Sequence, residues 1–182
     1  PMSLVMAADL INKAQRPLVL VGQGVELGNA QKQLIQFIEK AEMPAGCTLL
    51  GLSALPSDHR LNVGMLGMHG NLAPNVKTNE CDVLIAVGMR FDDRVTGNLA
   101  TYAKQAKIIH FDIDPAEINK NVKVDVAVLG DCKDTLKAVT ELTTKSGSTL
   151  LLPMPRRNGS KSSSPRYTPA AVLSTWEKWC VP

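Results

Sequence analysis

Apolar positions along the first 144 residues alternate between two rhythms. Residues 2–15 place Leu4, Val5, Ala8 and Ile11 at helical spacing, which predicts a helix with one apolar face. Pro17 then opens LVLVG, an unbroken apolar run that reads as a strand buried on both faces. Helical spacing returns over 28–40, with Leu34, Ile35 and Ile38 turned inward. AGCTL (45–49) reads as a second strand, 71–80 as a helix, and DVLIAVG (82–88), KIIHFDID (107–114) and VDVAVLG (124–130) as further strands. Residues 132–143 form an amphipathic helix, with Asp131 placed to cap it. Continuously apolar strands alternating with helices predict a parallel sheet covered on both sides. The right-handed crossover rule makes this an α/β, Rossmann-like three-layer αβα sandwich.

Several strands end in small or acidic residues: Gly22, Gly88, Asp112 and the pair Gly130–Asp131. Ligands of open parallel sheets sit beyond the carboxyl ends of the strands, where small residues admit them and acids accept their hydroxyls. One such end is an ordinary turn or cap, whereas four along one chain favour a nucleotide-type ligand. VGQGVELGN carries Gly22, Gly24 and Gly28 at a spacing one residue longer than the usual dinucleotide fingerprint, and it lacks the Lys-Ser/Thr of a P-loop. GMLGMHG (64–70) has too many glycines for a regular element and reads as a loop able to wrap a flat ligand. Met65 and Met68 would give it soft apolar contact, and His69 is expected to pack or donate one hydrogen bond rather than catalyse. GMRFDDRVTGN (88–98) concentrates Arg90, Asp92, Asp93 and Arg94. The arginines suit phosphate or carboxylate, and the acids are expected to hold them in place or bond a ribose; the bland alternative is a solvated turn of cancelling charge. HFDIDP puts Asp112 and Asp114 at a strand end, suited to a ribose or adenine contact and not to a paired acid/base site. No nucleophile elbow, zinc-protease motif or kinase set is present, so the body reads as ligand-binding without a complete catalytic constellation.

Composition adds limits. The chain has 182 residues, enough for one ordinary domain, with 45% hydrophobic and 20% charged residues. Its net charge of +3 comes from residues 145–182, where Lys145, Arg156, Arg157, Lys161, Arg166 and Lys178 face the single acid Glu177. The body is weakly acidic and has no basic cluster with interleaved aromatics, which argues against nucleic acid as a partner. No apolar run spans a membrane and no signal peptide is visible, so a cytoplasmic location is expected. Cys47, Cys81, Cys132 and Cys180 form no C-x-x-C pair and have no His at metal-ligand spacing; they read as buried thiols of a reducing compartment, with no metal site.

The order PLVLVGQGV, GMLGMHG, VGMRFDDRVTGN, HFDIDPAEI and VLGDC resembles the central domain of acetohydroxyacid (acetolactate) synthase large subunits, within the thiamine-diphosphate-dependent enzymes. The resemblance covers about residues 3–144, and MLGMHG followed by RFDDRVTGN is its most specific part. It implies a six-stranded parallel (DHS-like) sheet and a bound FAD that takes no net redox part in the main reaction. By motif match, Gly22, Gln23, Gly24, Thr48 and Leu49 would line the FAD, with Leu66, Gly67, Met68 and His69 along the flavin and ribityl chain. Gly88, Met89, Arg90, Asp92, Arg94 and Val95 would follow, with Arg90 near the phosphates. Asp112 and Ile113 would lie at the adenosine end and Asp131 and Cys132 beside the adenine; Cys132 stands where the family commonly has a smaller residue such as Ala. Met68, Asp93 and Arg94 resemble residues facing the substrate channel. The implied activity is a transferase reaction of branched-chain amino-acid biosynthesis, joining two 2-oxoacids with loss of CO2. Thiamine diphosphate and Mg2+ would be bound by domains not present in this chain, which leaves the chain with no catalytic residue, no synthase activity alone and weak FAD affinity. The implied partners are the remaining N- and C-terminal domains, a second large subunit and a small regulatory subunit.

Two domains are expected: 1–144 as the FAD-binding body, and 145–182 as a Ser/Pro/Arg-rich tail unlike the family's linker, either disordered or the product of a shifted reading frame. Codons for residues 166–181 can be chosen so that a shifted frame resembles the family's continuation, which sequencing the coding DNA would settle. Two other readings stay open. One is an NAD-binding Rossmann-like domain of a different enzyme, the other a ligand-free assembly module.

Overall fold

The computed structural model describes residues 1–144, all within one compact unit. The expectations for residues 145–182, Cys180 included, lie outside the described residues.

Six parallel strands form one sheet in the order β3-β2-β1-β4-β5-β6. They are β1 (Pro17–Val21), β2 (Ala45–Cys47), β3 (Asn62–Met65), β4 (Val83–Val87), β5 (Lys107–Asp112) and β6 (Val126–Leu129). The helices are α1 (Met2–Lys13), α2 (Gly24–Leu27), α3 (Gln31–Lys40), α4 (Leu72–Glu80), α5 (Asp93–Thr96) and α6 (Cys132–Leu142). Strand order reverses between β1 and β4, which is the topological switch point of a doubly wound sheet.

Strand alternation divides the core. Val19, Val21, Ile85, Val87, Ile109 and Phe111 face one side, where α1, α3 and α6 cover them. Leu18, Leu20, Leu84, Ala86 and Ile108 face the other, under Leu66, Met89, Phe91, Tyr102 and Ala103. β1 and β4 are buried at every position. Each fully buried Leu, Ile or Val contributes about 1.5–3 kcal/mol relative to exposure.

Four details differ from the periodic reading. The sixth strand, β3, takes in Gly64 and Met65, which the glycine count assigned to a loop; it is half-buried throughout, its pairing with β2 is irregular beside Ala45, and Gly64 has φ 99°. An edge strand with a bulge carries neither the apolar run nor the alternation that marks a strand. The helix expected over 28–40 begins only at Gln31, as α3, and is preceded by a separate short helix, α2, with Asn29 left-handed at φ 49° between the two. On α3 the buried face is Leu34, Phe37 and Ile38, with Ile35 only packed against its edge. On α1 it is Leu4, Ala7, Ala8 and Ile11, leaving Val5 exposed. Asp131 caps α6 as expected, its carboxylate accepting from the Lys133 amide at 2.7 Å.

Candidate functional site

Sheet register sets the site. Met65, Cys47, Val21, Val87, Phe111 and Val128 stand abreast across the six strands. The residues that follow them, Leu66, Thr48, Gly22, Gly88, Asp112 and Leu129, therefore begin one continuous carboxyl rim. Four of the strand-end residues picked out by small size or acidity, Gly22, Gly88, Asp112 and Gly130, lie on or next to this rim.

Backbone contacts hold the rim together. The Gly22 amide donates to the Val87 carbonyl and the Gly24 amide to the Gly88 carbonyl, both at 2.9 Å. The Gly88 amide donates to Phe111, the Thr48 amide to Val21, and the Gly130 amide to Asp112. Gly88 has φ 55°, and a Cβ there would stand 2.7 Å from the Gly24 Cα. The glycines of the VGQGVELGN segment thus let the loops after β1 and β4 pass in contact at the switch point.

Charge and burial follow from these positions. Burial pushes the Asp112 carboxyl up, but the His110 hydrogen bond and the amides of Asp114 and Ile113 outweigh it and hold the group below the ordinary carboxylate range. His110 is fully buried; its Nε2 lies 2.9 Å from the Met89 carbonyl and 3.5 Å from the Asp112 carboxylate. A carbonyl only accepts, so Nε2 carries the proton. The Phe91 ring meets the imidazole edge-on at 5.1 Å. Asp114 is engaged separately, its carboxylate accepting from the Ala116 amide. Residues two apart on a continuous strand share a face, so it is the end of β5 at Asp112 that separates the two acids.

The Arg/Asp cluster behaves differently from expectation. Asp92 caps α5 by accepting from the Val95 amide, and among the described residues no ion pair joins Asp92 or Asp93 to Arg90 or Arg94. The arginines are exposed at the rim and not held by the acids beside them.

A family model described as "Thiamine pyrophosphate enzyme, central domain" matches residues 4–139. The chain belongs to that family. A probable acetolactate synthase large subunit of Methanocaldococcus jannaschii is 48% identical over 137 residues, covering 75% of this chain and 23% of that protein. The acetolactate synthase large subunit of Parasynechococcus marenigrum is 52% identical over 136 residues, covering 75% and 22%. The acetolactate synthase isozyme 2 large subunit of Escherichia coli is 50% identical over 135 residues, covering 74% and 25%. The matched region spans about a quarter of the length of these relatives. The six-stranded parallel sheet implied by the sequence resemblance is the one observed.

In this thiamine pyrophosphate enzyme central domain, the residues singled out from sequence fall into two groups. Gln23, Leu49, Met68, His69, Arg90, Asp93, Arg94, Ile113 and Asp131 are exposed and Gly24, Asp92 and Val95 half-buried, on segments leaving the rim. Thr48, Gly67 and Asp112 are buried there, while Leu66, Met89 and Cys132 turn their side chains into the core and leave backbone at the rim. Burial pushes the Cys132 thiol up to about 12, with Asp112 and Asp131 adding to the rise, and it also raises Cys47 and Cys81; none is a thiolate at neutral pH. Among the described residues no group of three or more His, Cys, Asp or Glu could hold a metal, and no helix is long and apolar enough to cross a membrane.

His110 was missed from sequence. A polar side chain inside a strand read as buried on both faces must find a partner, and that was the available signal.

Proposed function

We propose that this chain is the FAD-binding part of an acetolactate synthase large subunit. The reading is carried by the single rim: Leu49, Met68 and Ile113, the last two 67% and 70% exposed, share it with the exposed cations Arg90 and Arg94. Apolar side chains suit a flat ring system and arginines suit a diphosphate, which is the chemistry of a flavin dinucleotide laid across the strand ends. Large exposed apolar groups on one edge of a compact domain mark a surface that something covers.

On this reading Arg90 binds phosphate, Asp112 accepts from the ribose or adenine, and Met68, Asp93 and Arg94 border the approach of the 2-oxoacids. Thiamine diphosphate, with Mg2+, supplies carbanion stabilisation when bound, and the parts of the large subunit outside this chain would hold it. The rest of the large subunit, a second copy and a small regulatory subunit complete the proposed assembly, and the setting is cytoplasmic.

A nucleotide panel read by thermal unfolding tests the ligand. FAD at about ten times its Kd should stabilise the chain by about 1.4 kcal/mol, a rise of about 3–6 °C, with NAD giving none. A rise with NAD instead would favour a nicotinamide-binding domain, and no rise with any nucleotide a ligand-free assembly module. The purified chain should form no acetolactate from pyruvate, and detectable product would refute the division of labour between this chain and the rest of the large subunit.

A further inference from the structure

The loop between β3 and α4 carries Met68, and one side chain holds it in place. Asn75, on the second turn of α4, accepts from the Gly67 amide at 2.9 Å and donates to the Gly67 carbonyl at 2.9 Å. Both ends of its amide are thus paired with both backbone groups of one residue. One turn earlier, at the N-cap of α4, Asn71 grips the same loop at its base. Its amide donates to the Met65 carbonyl at 2.7 Å and its side chain accepts from the Met65 amide at 3.3 Å.

The hold continues beyond Gly67. This residue is buried, has φ 100°, and has no room for a Cβ, which would stand 2.8 Å from the Arg94 carbonyl. The next amide, Met68, donates to that same carbonyl at 2.8 Å. A chain of hydrogen bonds therefore runs from α4 through Gly67 and Met68 to Arg94, joining two rim loops that leave different strands.

We propose that Asn75 is a positioning residue which, through Gly67, sets the places of Met68 and Arg94 on the rim and so shapes the surface that receives the flavin end of the ligand. The functional half rests on the reading given under Proposed function; the hydrogen-bonded lock does not. Asn75 touches no ligand in this scheme. It acts by denying Gly67 and Met68 the freedom that a glycine-rich loop otherwise has.

The test uses the full 182-residue chain and its Asn75→Ala and Asn75→Asp variants, read by amide hydrogen exchange as protection factors. In Asn75→Ala, protection at Gly67 should be lost and protection at Met68 should fall about tenfold, the size of one hydrogen bond, while Ile85 in the core keeps its own. Asn75→Asp keeps the acceptor but loses the donor. Near neutral pH it should protect the Gly67 amide more than the alanine variant does but less than the parent, because the carboxylate faces the Gly67 carbonyl, and it should recover in acid, where a protonated carboxyl can again donate to that carbonyl. Met68 protection unchanged in Asn75→Ala, or no recovery of Asn75→Asp in acid, would overturn the lock. Equal loss at Ile85 in both variants would overturn it too, by showing a general contribution to folding. FAD separates the two claims. If FAD stabilises the unmodified chain, Asn75→Ala should need a several-fold higher concentration for the same rise, and an equal requirement would sink the functional half. If FAD stabilises neither, the ligand reading fails while the exchange data still decide the lock.

Discussion

Gly88→Ala should cost about 4 kcal/mol or more, whereas Gly97→Ala should cost about 1–3 kcal/mol, the backbone strain alone. Both glycines have a positive φ, 55° and 57°, and Gly97 combines it with ψ −124°. An alanine pays backbone strain at either place, because both φ values lie where a Cβ is disfavoured. They differ in surroundings: a Cβ at Gly97 meets nothing within 4 Å, while one at Gly88 stands 2.7 Å from the Gly24 Cα and 2.9 Å from the Gly24 carbonyl carbon. Those obstacles are backbone, so no rotamer change relieves them. Either β4 and β1 part at the switch point or the Gly24 amide loses its bond to the Gly88 carbonyl. Urea unfolding of both variants checks this, and equal midpoints would mean that the close approach of the two loops is not what demands glycine.

His110→Leu keeps the volume and apolar contacts of the site but removes its donor, and should cost about 2–3 kcal/mol. The Met89 carbonyl would be left buried without a partner and Asp112 would lose the bond that offsets its burial. His110→Gln, which can present a donor at similar reach, should recover part of the loss. Acid titration gives a second signature. The folded-state pKa of Asp112 lies below its unfolded value of about 3.9, so its contribution is fully present above that value and is lost as pH falls through the lower folded one. In His110→Leu burial acts without the imidazole, the folded pKa rises, and this acid-limb loss shrinks or reverses. Urea midpoints from about pH 7 down to about pH 2.5 should therefore converge between parent and variant. A gap that stays constant would show that His110 matters only by packing.

Much of the fold was legible because the central strands are continuous apolar runs closed by Gly. LVLVG and DVLIAVG became β1 and β4, buried at every position. β3 escaped because Asn62, Val63, Gly64 and Met65 at a half-buried edge look like part of a glycine loop. The short α2 and the late start of α3 escaped because hydrophobic spacing does not report a single left-handed Asn29. In the site, the strand-end glycines and Asp112 could be picked out from residue type and position alone. What Gly22, Gly24 and Gly88 are for could not, since their neighbours are each other's backbone, brought together by pairing distant in sequence. Asn75 and His110 escaped for the same reason: their partners are main-chain atoms of other loops.

The two sides of the sheet are unequally armoured. Three helices of ten to twelve residues brace one side, while the other is closed by α4 and by side chains from turns such as Phe91 and Tyr102. Fluctuations should concentrate on the lightly braced side, because segments with few buried contacts open at lower free energy than the core. The loops bearing Met68 and Arg94 belong to it. On the proposed function, a bulky visitor at the strand ends would displace this one layer against the restraint of Asn75, with the helical layer keeping the strands in register.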